Sequence, residues 1–226
     1  MLAGEAVVAI WNGITPDAVV PGGRAGFYAW HLHEHMPERV GIPGFRRGRR
    51  YIAVDGATQP EFFTLYEADT MQVLQGTDYL ARLNAPTPWT RSATAAFRDT
   101  SRALARVLCS AGPGVGGAML TVRFDASAET AATLIELVQR AARAPRITGA
   151  HLCRADDGAS GISTAESKGR TDIQAPPAWF AMIEATGADA LGAVLGDADL
   201  GAAGATGPFR RGIYLLEYAR AKTGFA

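Results

Sequence analysis

Apolar positions along the chain switch between a two-residue and a roughly four-residue spacing, and the order of the switches occurs twice. In the first part EAVVAIW (5–11), RAGFYAWHLHEHM (24–36) and GRRYIAVDG (48–56) read as strand, helix and strand. PEFFTLYEA (60–68), DTMQVLQGTDYLARL (69–83) and TSRALARVLCSAG (100–112) follow as strand, helix and strand. The second part repeats this with AMLTVRF, the helix from Ser127 to Ala144, RITGAHLCRAD, PAWFAMIEA, the helix-like TGADALGAVLG and RRGIYLLEYARA. In the helix from Ser127, a residue type suited to cap it, Leu134, Leu137, Val138, Ala141 and Ala142 form one apolar stripe.

Two of these strands also match residue by residue. Pro60, Phe63, Glu67 and Ala68 align with Pro177, Phe180, Glu184 and Ala185. The pattern therefore predicts an α+β chain made of βαββαβ twice, with residues 1–112 as one ferredoxin-like half and 113–226 as the other. Each unit makes a four-stranded antiparallel sheet with both helices on one face, and the bare face needs cover. The matched strands carry apolar residues on both faces, so the two sheets are expected to pack into one barrel. The glycine-rich GPGVGG, residues 112–117, reads as the link between halves.

Two insertions distinguish the halves: Asn84–Ser92 in the first, and Asp157–Pro177 in place of the short DGATQP turn in the second. The latter is poor in apolar residues and rich in Gly, Ser and Thr, which reads as a solvated hairpin tip, with a substrate lid as the alternative.

Composition narrows the partners. Of 226 residues, 48% are apolar, enough for a packed core, and 22 basic residues balance 22 acidic ones. A chain without net charge offers no global attraction for nucleic acid or an anionic membrane, so a small organic molecule is the expected partner. The N-terminal apolar run is short, lacks a basic flank and is interrupted by Glu5, and no stretch is long enough to span a bilayer. Cys109 and Cys153 fall in apolar strands without metal-binding spacing and read as buried free thiols. A cytoplasmic location is the expectation that follows.

The densest polar cluster is WHLHEHMPER, residues 30–39, which holds three of the four histidines. On an α-helix His31, Glu34, His35 and Glu38 share one face, with Pro37 ending or kinking the helix. Imidazoles beside carboxylates can move protons near neutral pH, and an exposed, merely solvated helix face would show the same spacing. His31 and His35 could share a metal, but a third ligand is lacking and none is expected. Arg46, Arg47, Arg49 and Arg50 read as solvated strand-edge charge. Glu67 and Glu184, on strand faces with Phe63 and Phe180, require arginine partners if buried, with Arg50 or Arg106 as candidates.

At WHLHEHMPERVGIPGFRRGRRY the chain resembles dimeric α/β-barrel proteins close to the EthD-like class, in which a first helix carries Trp, then Glu-His, then Pro-Glu-Arg, and Pro-Gly-Phe enters a strand. The resemblance covers about residues 5–109. Trp30, Glu34, His35, Pro37, Glu38 and Arg39 fit the pattern, while His31 and His33 stand where that group varies. The wider superfamily includes cofactor-free monooxygenases, lactone isomerases, cyclases and haem enzymes. By analogy, the expectation is a cofactor-independent enzyme, isomerase, cyclase or monooxygenase-like, acting on an apolar or aromatic molecule, with no bound haem. His35 is its expected acid/base, Glu34 the orienter, and Trp30, His31, Glu38 and Arg39 the substrate-binding residues. A non-catalytic small-molecule-binding or structural barrel is the alternative. Single-repeat members close the barrel by dimerising; a tandem chain closes it alone, which leaves a homodimer open as further association.

Overall fold

The computed structural model describes residues 1–15 and 20–223. Among the described residues the strands are β1 Ala6–Ile14, β2 Phe45–Ala53, β3 Phe62–Ala68, β4 Phe97–Ala111, β5 Ala118–Ala126, β6 Ile147–Ala155, β7 Ile173–Gln174, β8 Trp179–Ala185 and β9 Ala205–Ala221, nine in all. Eight of them close an antiparallel barrel in the order β1-β3-β2-β9-β5-β8-β6-β4, with β4 returning to β1 and the short β7 lying parallel on β4. Closure removes every free edge from the eight.

The order β4-β1-β3-β2 in the first half recurs as β9-β5-β8-β6 in the second. Registers correspond too. Glu67 pairs with Val7 and Phe63 with Trp11, while Glu184 pairs with Met119 and Phe180 with Arg123. The long strands do the joining: β9 pairs with both β5 and β2, and β4 with both β1 and β6. One chain therefore closes the barrel.

Alternation along the strands supplies both faces. Val7, Trp11, Phe63, Leu65, Met119, Phe180, Met182 and Tyr214 fill the barrel interior. On the outside, Val8, Tyr66 and Ala68 meet Met36, Val40 and Leu74, and in the second half Leu120, Val122 and Ile183 meet Leu134, Leu137 and Val138. Burial of each such large side chain contributes about 1.5–3 kcal/mol. Cys109 and Cys153 are buried free thiols.

The helices are α1 Gly23–Trp30, α2 Met36–Gly41, α3 Met71–Gln75, α4 Thr77–Asn84, α5 Pro88–Ala95, α6 Ala131–Ala141, α7 Asp157–Ser160 and α8 Asp197–Ala202. Several differ from the expected ones. Gly76, extended at φ −76°, ψ 163°, splits residues 69–83 into α3 and α4. The expected helix at TGADALGAVLG is only a 3-10 turn at Ala188–Ala190, because Leu195 takes a left-handed φ of 58° and the helical stretch starts at Asp197. Within the insertion Asn84–Ser92, Thr87 caps α5 by accepting from the Thr90 amide at 2.9 Å, with Pro88 in the first turn.

Arg49 and Arg50 of β2 are not solvated edge charge, whereas Arg46 is exposed beside Asp69. Because β2 lies between β3 and β9, Arg49 and Arg50 are 0% and 1% exposed. Arg49 points into the barrel, where Nε donates to Glu67 at 2.9 Å and Nη1 to Glu184 at 2.8 Å. Arg47 completes the pairing of Glu67. The expected partners, Arg50 and Arg106, are not used: alternation sends Arg50 to the outer face.

The insertion Asp157–Pro177 is not a solvated tip either. It packs across the first half, with the Glu166 amide donating to the Leu83 carbonyl, the Ala165 amide to Asn84, Thr100 to Asp172, and β7 along β4.

Candidate active site

The polar cluster lies between the first helical segment and the outer face of the first-half sheet. Pro37 sets its geometry. Lacking an amide proton, and with a ring that crowds the carbonyl four residues back, proline cannot continue an ordinary helical ladder. The chain adopts a single π-turn over His31–His35, closed by the Met36 amide on the His31 carbonyl, before α2 begins. Such wide turns are frequent at functional sites. This one leaves His31 and His35 both buried against the sheet, at 4% and 8% exposure.

Each expected site residue has a definite place. The His31 ring nitrogen Nδ1 lies 2.5 Å from the Tyr218 hydroxyl, which is also 3.0 Å from the His31 carbonyl. The phenol has one proton: if it goes to the carbonyl, Nδ1 is the donor and Nε2 keeps the lone pair. The His35 ring stacks 4.4 Å from that of Trp30 and faces Tyr66 at 6.3 Å. Its Nδ1 is buried without a partner among the described residues.

Glu34 does not touch His35. Its carboxylate turns to α5 and accepts from the hydroxyls of Thr87 at 2.6 Å and Thr90 at 3.1 Å. Thr90 in turn accepts from the Trp30 indole at 3.2 Å. Glu34 therefore steadies the aromatic wall against which His35 stacks, and the expectation that it orients the imidazole directly is corrected. The π-turn is the reason, since it rotates Glu34 off the face that His31 and His35 share. Glu38 faces Arg82 at 3.4 Å, its carboxyl raised by burial.

Arg39 is 2% exposed, pairs with Glu166 of the second-half insertion, and keeps Nη1 unpartnered among the described residues. Three further residues that carry no motif, Arg50, Tyr66 and Tyr218, complete the cluster. The Arg50 guanidinium lies 4.2 Å from the Phe62 ring and 3.3 Å from Glu217, with Nη2 unpartnered. The Tyr66 hydroxyl is buried and unpartnered, and Tyr218 closes the cluster from β9. Strand alternation was the available signal for Tyr66 and Arg50: each neighbours a residue that faces the barrel interior, so each had to face the helices.

Electrostatics follow from this packing. Burial first, then the cations Arg50 for His31 and Arg39 for His35, hold both imidazoles well below the ordinary histidine range, so both are neutral at neutral pH. Buried donors without partners cost free energy unless water or a ligand meets them. Donors from Arg39, Arg50 and Tyr66 beside a neutral imidazole form a setting for an oxyanion.

Among the described residues, no group of three or more His, Cys, Asp or Glu side chains could hold a metal ion. His151, in the second half, spends Nε2 on Glu184 at 2.9 Å and Nδ1 on Ser110 at 3.0 Å, which leaves neither nitrogen for an axial bond to haem iron. Beside the cluster opens a cleft of about 440 Å³, lined by Leu83, Arg102, Ile162, Thr164, Glu166 and Arg170. Glu166 separates it from Arg39. No described helix is long and apolar enough to cross a membrane.

No protein-family model and no curated protein sequence matches the chain. Solved structures do. An anthrone oxidase-like protein superposes with a TM-score of 0.60 at 11% identity, covering 96% of this chain and 92% of its own. A candidate monooxygenase from Lactobacillus acidophilus gives 0.56 at 6% identity and 96% of both chains. One from Fusobacterium nucleatum gives 0.54 at 9% identity, with 99% and 98% covered. At these identities the likeness is one of fold: a ferredoxin-like strand order in each half, with the eight-stranded barrel closed within a single polypeptide.

Proposed function

We propose that the buried polar cluster between the π-turn and the sheet is the active site of a cofactor-independent enzyme that deprotonates a small aromatic or enolisable molecule. The observation that carries this reading is the buried set of His35, Arg39, Arg50 and Tyr66, each with a polar atom that no described residue satisfies. An imidazole held neutral by burial and then by the charges of Arg39 and Arg50 gains a proton readily only if an anion forms beside it. Transfer of a C–H or O–H proton to His35 does that, leaving the electron pair on the substrate as an enolate or phenolate facing Arg39, Arg50 and Tyr66. Trp30 and His31 wall the site. The same anion is the starting point for a double-bond shift, a cyclisation or reaction with dioxygen, and the names of the monooxygenase and oxidase-like neighbours fit the last.

The reading includes an origin for the fold: residues 1–112 and 113–226 as duplicated copies, supported by the shared strand order and register. Only the first copy carries the Glu-His helix, so one site per chain is proposed. The EthD-like class remains the family we propose on the Trp30–Arg39 motif.

Turnover of a panel of phenols and enolisable ketones, with and without dioxygen, tests the activity. His35→Gln is expected to abolish turnover while stability changes by no more than about 1 kcal/mol, since no protein partner of Nδ1 is lost. A marked fall in melting temperature, with the binding of every screened compound unchanged, would favour the non-catalytic barrel.

A further inference from the structure

A single carboxylate from the second half is seated on the catalytic helix of the first. Glu166, in the Asp157–Pro177 insertion, pairs with Arg39 across 127 positions of chain. The pairing is incomplete: Glu166 engages Nη2 of the guanidinium, and Nη1 is buried without a partner among the described residues. A carboxylate free to orient itself satisfies both nitrogens at once, because the planar guanidinium fork matches it with two parallel hydrogen bonds. Glu166 is fixed to its segment and meets half of that demand.

Two features let another acid take its place. The segment around Glu166 is held to the first half by the Glu166 amide on the Leu83 carbonyl at 3.2 Å and the Ala165 amide on Asn84 at 3.0 Å, while Gly161, Ile162 and Ser163 before it are exposed. Glu166 also forms part of the wall of the 440 Å³ cleft, a size within the range of roughly 300–1,000 Å³ that holds small organic ligands. Apolar Leu83 and Ile162 line it together with Arg102 and Arg170.

Resting on the buried His35 cluster as the working site, we infer that Glu166 occupies the docking position of a substrate carboxylate. The ligand is an aromatic or otherwise unsaturated organic acid, whose carboxylate displaces Glu166 from Arg39 and whose apolar body extends into the cleft. The insertion is then an internal competitor that shields Arg39 until the acid arrives.

Binding of 2-naphthoate and of its uncharged analogue 2-naphthalenemethanol to the full chain tests this by calorimetry. Glu166→Gln is expected to tighten 2-naphthoate at least tenfold and to leave the alcohol within twofold of wild type. Glu166→Asp, which keeps the charge, should bind like wild type and controls for disturbance of the segment. Arg39→Lys in the Glu166→Gln background should reverse the gain. No gain for 2-naphthoate, or an equal gain for both ligands, overturns the inference. If the gain is seen but His35→Gln leaves turnover of every substrate intact, the acid dock stands and the proposed function falls. If the gain is missing while His35→Gln abolishes turnover of a phenol, the dock alone falls.

Discussion

Glu67 and Glu184, which hold corresponding register positions in the two halves, lie on either side of one buried guanidinium: Arg49 reaches both, at 2.9 and 2.8 Å. Neither carboxylate is exposed at all. Arg47 and the Ala3 amide complete Glu67, while His151 and the Gly116 amide complete Glu184. Removing the shared cation leaves two buried negative charges short of a partner, a far larger loss than the worth of a surface ion pair. Arg49→Met is therefore expected to destabilise the protein by about 3–5 kcal/mol in urea unfolding. A loss below 1 kcal/mol would show that the barrel core tolerates the unpaired acids.

Acid should unfold the protein in two stages. His31 and His35 titrate well below 6.5 when folded, chiefly through burial, whereas the unfolded chain takes up those protons near 6.5. Their contribution is complete above pH 6.5 and declines as pH falls below it. Burial alone would raise the Glu184 carboxyl, but the His151 hydrogen bond and the Arg49 charge outweigh it and bring it to about 2 from an unfolded value of 4.5. That second contribution is complete above pH 4.5 and is lost as pH falls from there towards 2. Denaturant midpoints from pH 8 to pH 3 measure both stages, and His35→Gln should flatten the first without altering the second. A midpoint constant between pH 7 and pH 5 would contradict the buried, neutral histidines.

The architecture was legible because periodicity and the match of PEFFTLYEA to PAWFAMIEA report strand positions directly, and the strand order and register follow the same pattern. Boundaries governed by single backbone angles were not. Gly76 and Leu195 redirect the chain locally, and nothing in the apolar spacing marks either. At the candidate site, the motif marked a helix but not its faces, since the turn at Pro37 parts Glu34 from His35. Glu166 was beyond reach for another reason: its contact with Arg39 is set by how an apolar-poor insertion packs across the barrel, which carries no periodic signal.

Tyr218 joins the last strand to the π-turn. Replacing it with Phe removes the partner of both the His31 ring and the His31 carbonyl, which already closes the wide turn. The expected cost is about 1–3 kcal/mol, with a change of His31 tautomer seen in imidazole nitrogen shifts. Unchanged stability together with unchanged shifts would mean that the phenol is not a working partner of the turn.

In the proposed function His35 is a neutral base whose protonation is coupled to an anion beside Arg39 and Arg50. Its imidazole titration, followed by nitrogen NMR and assigned by its loss in His35→Gln, measures this directly. In the free protein His35 should remain neutral from pH 8 to well below 6.5; with saturating 2-naphthol its titration should move upward, as the phenolate offsets the arginine charges. A His35 that titrates near 6.5 and does not respond to the phenol would contradict this role.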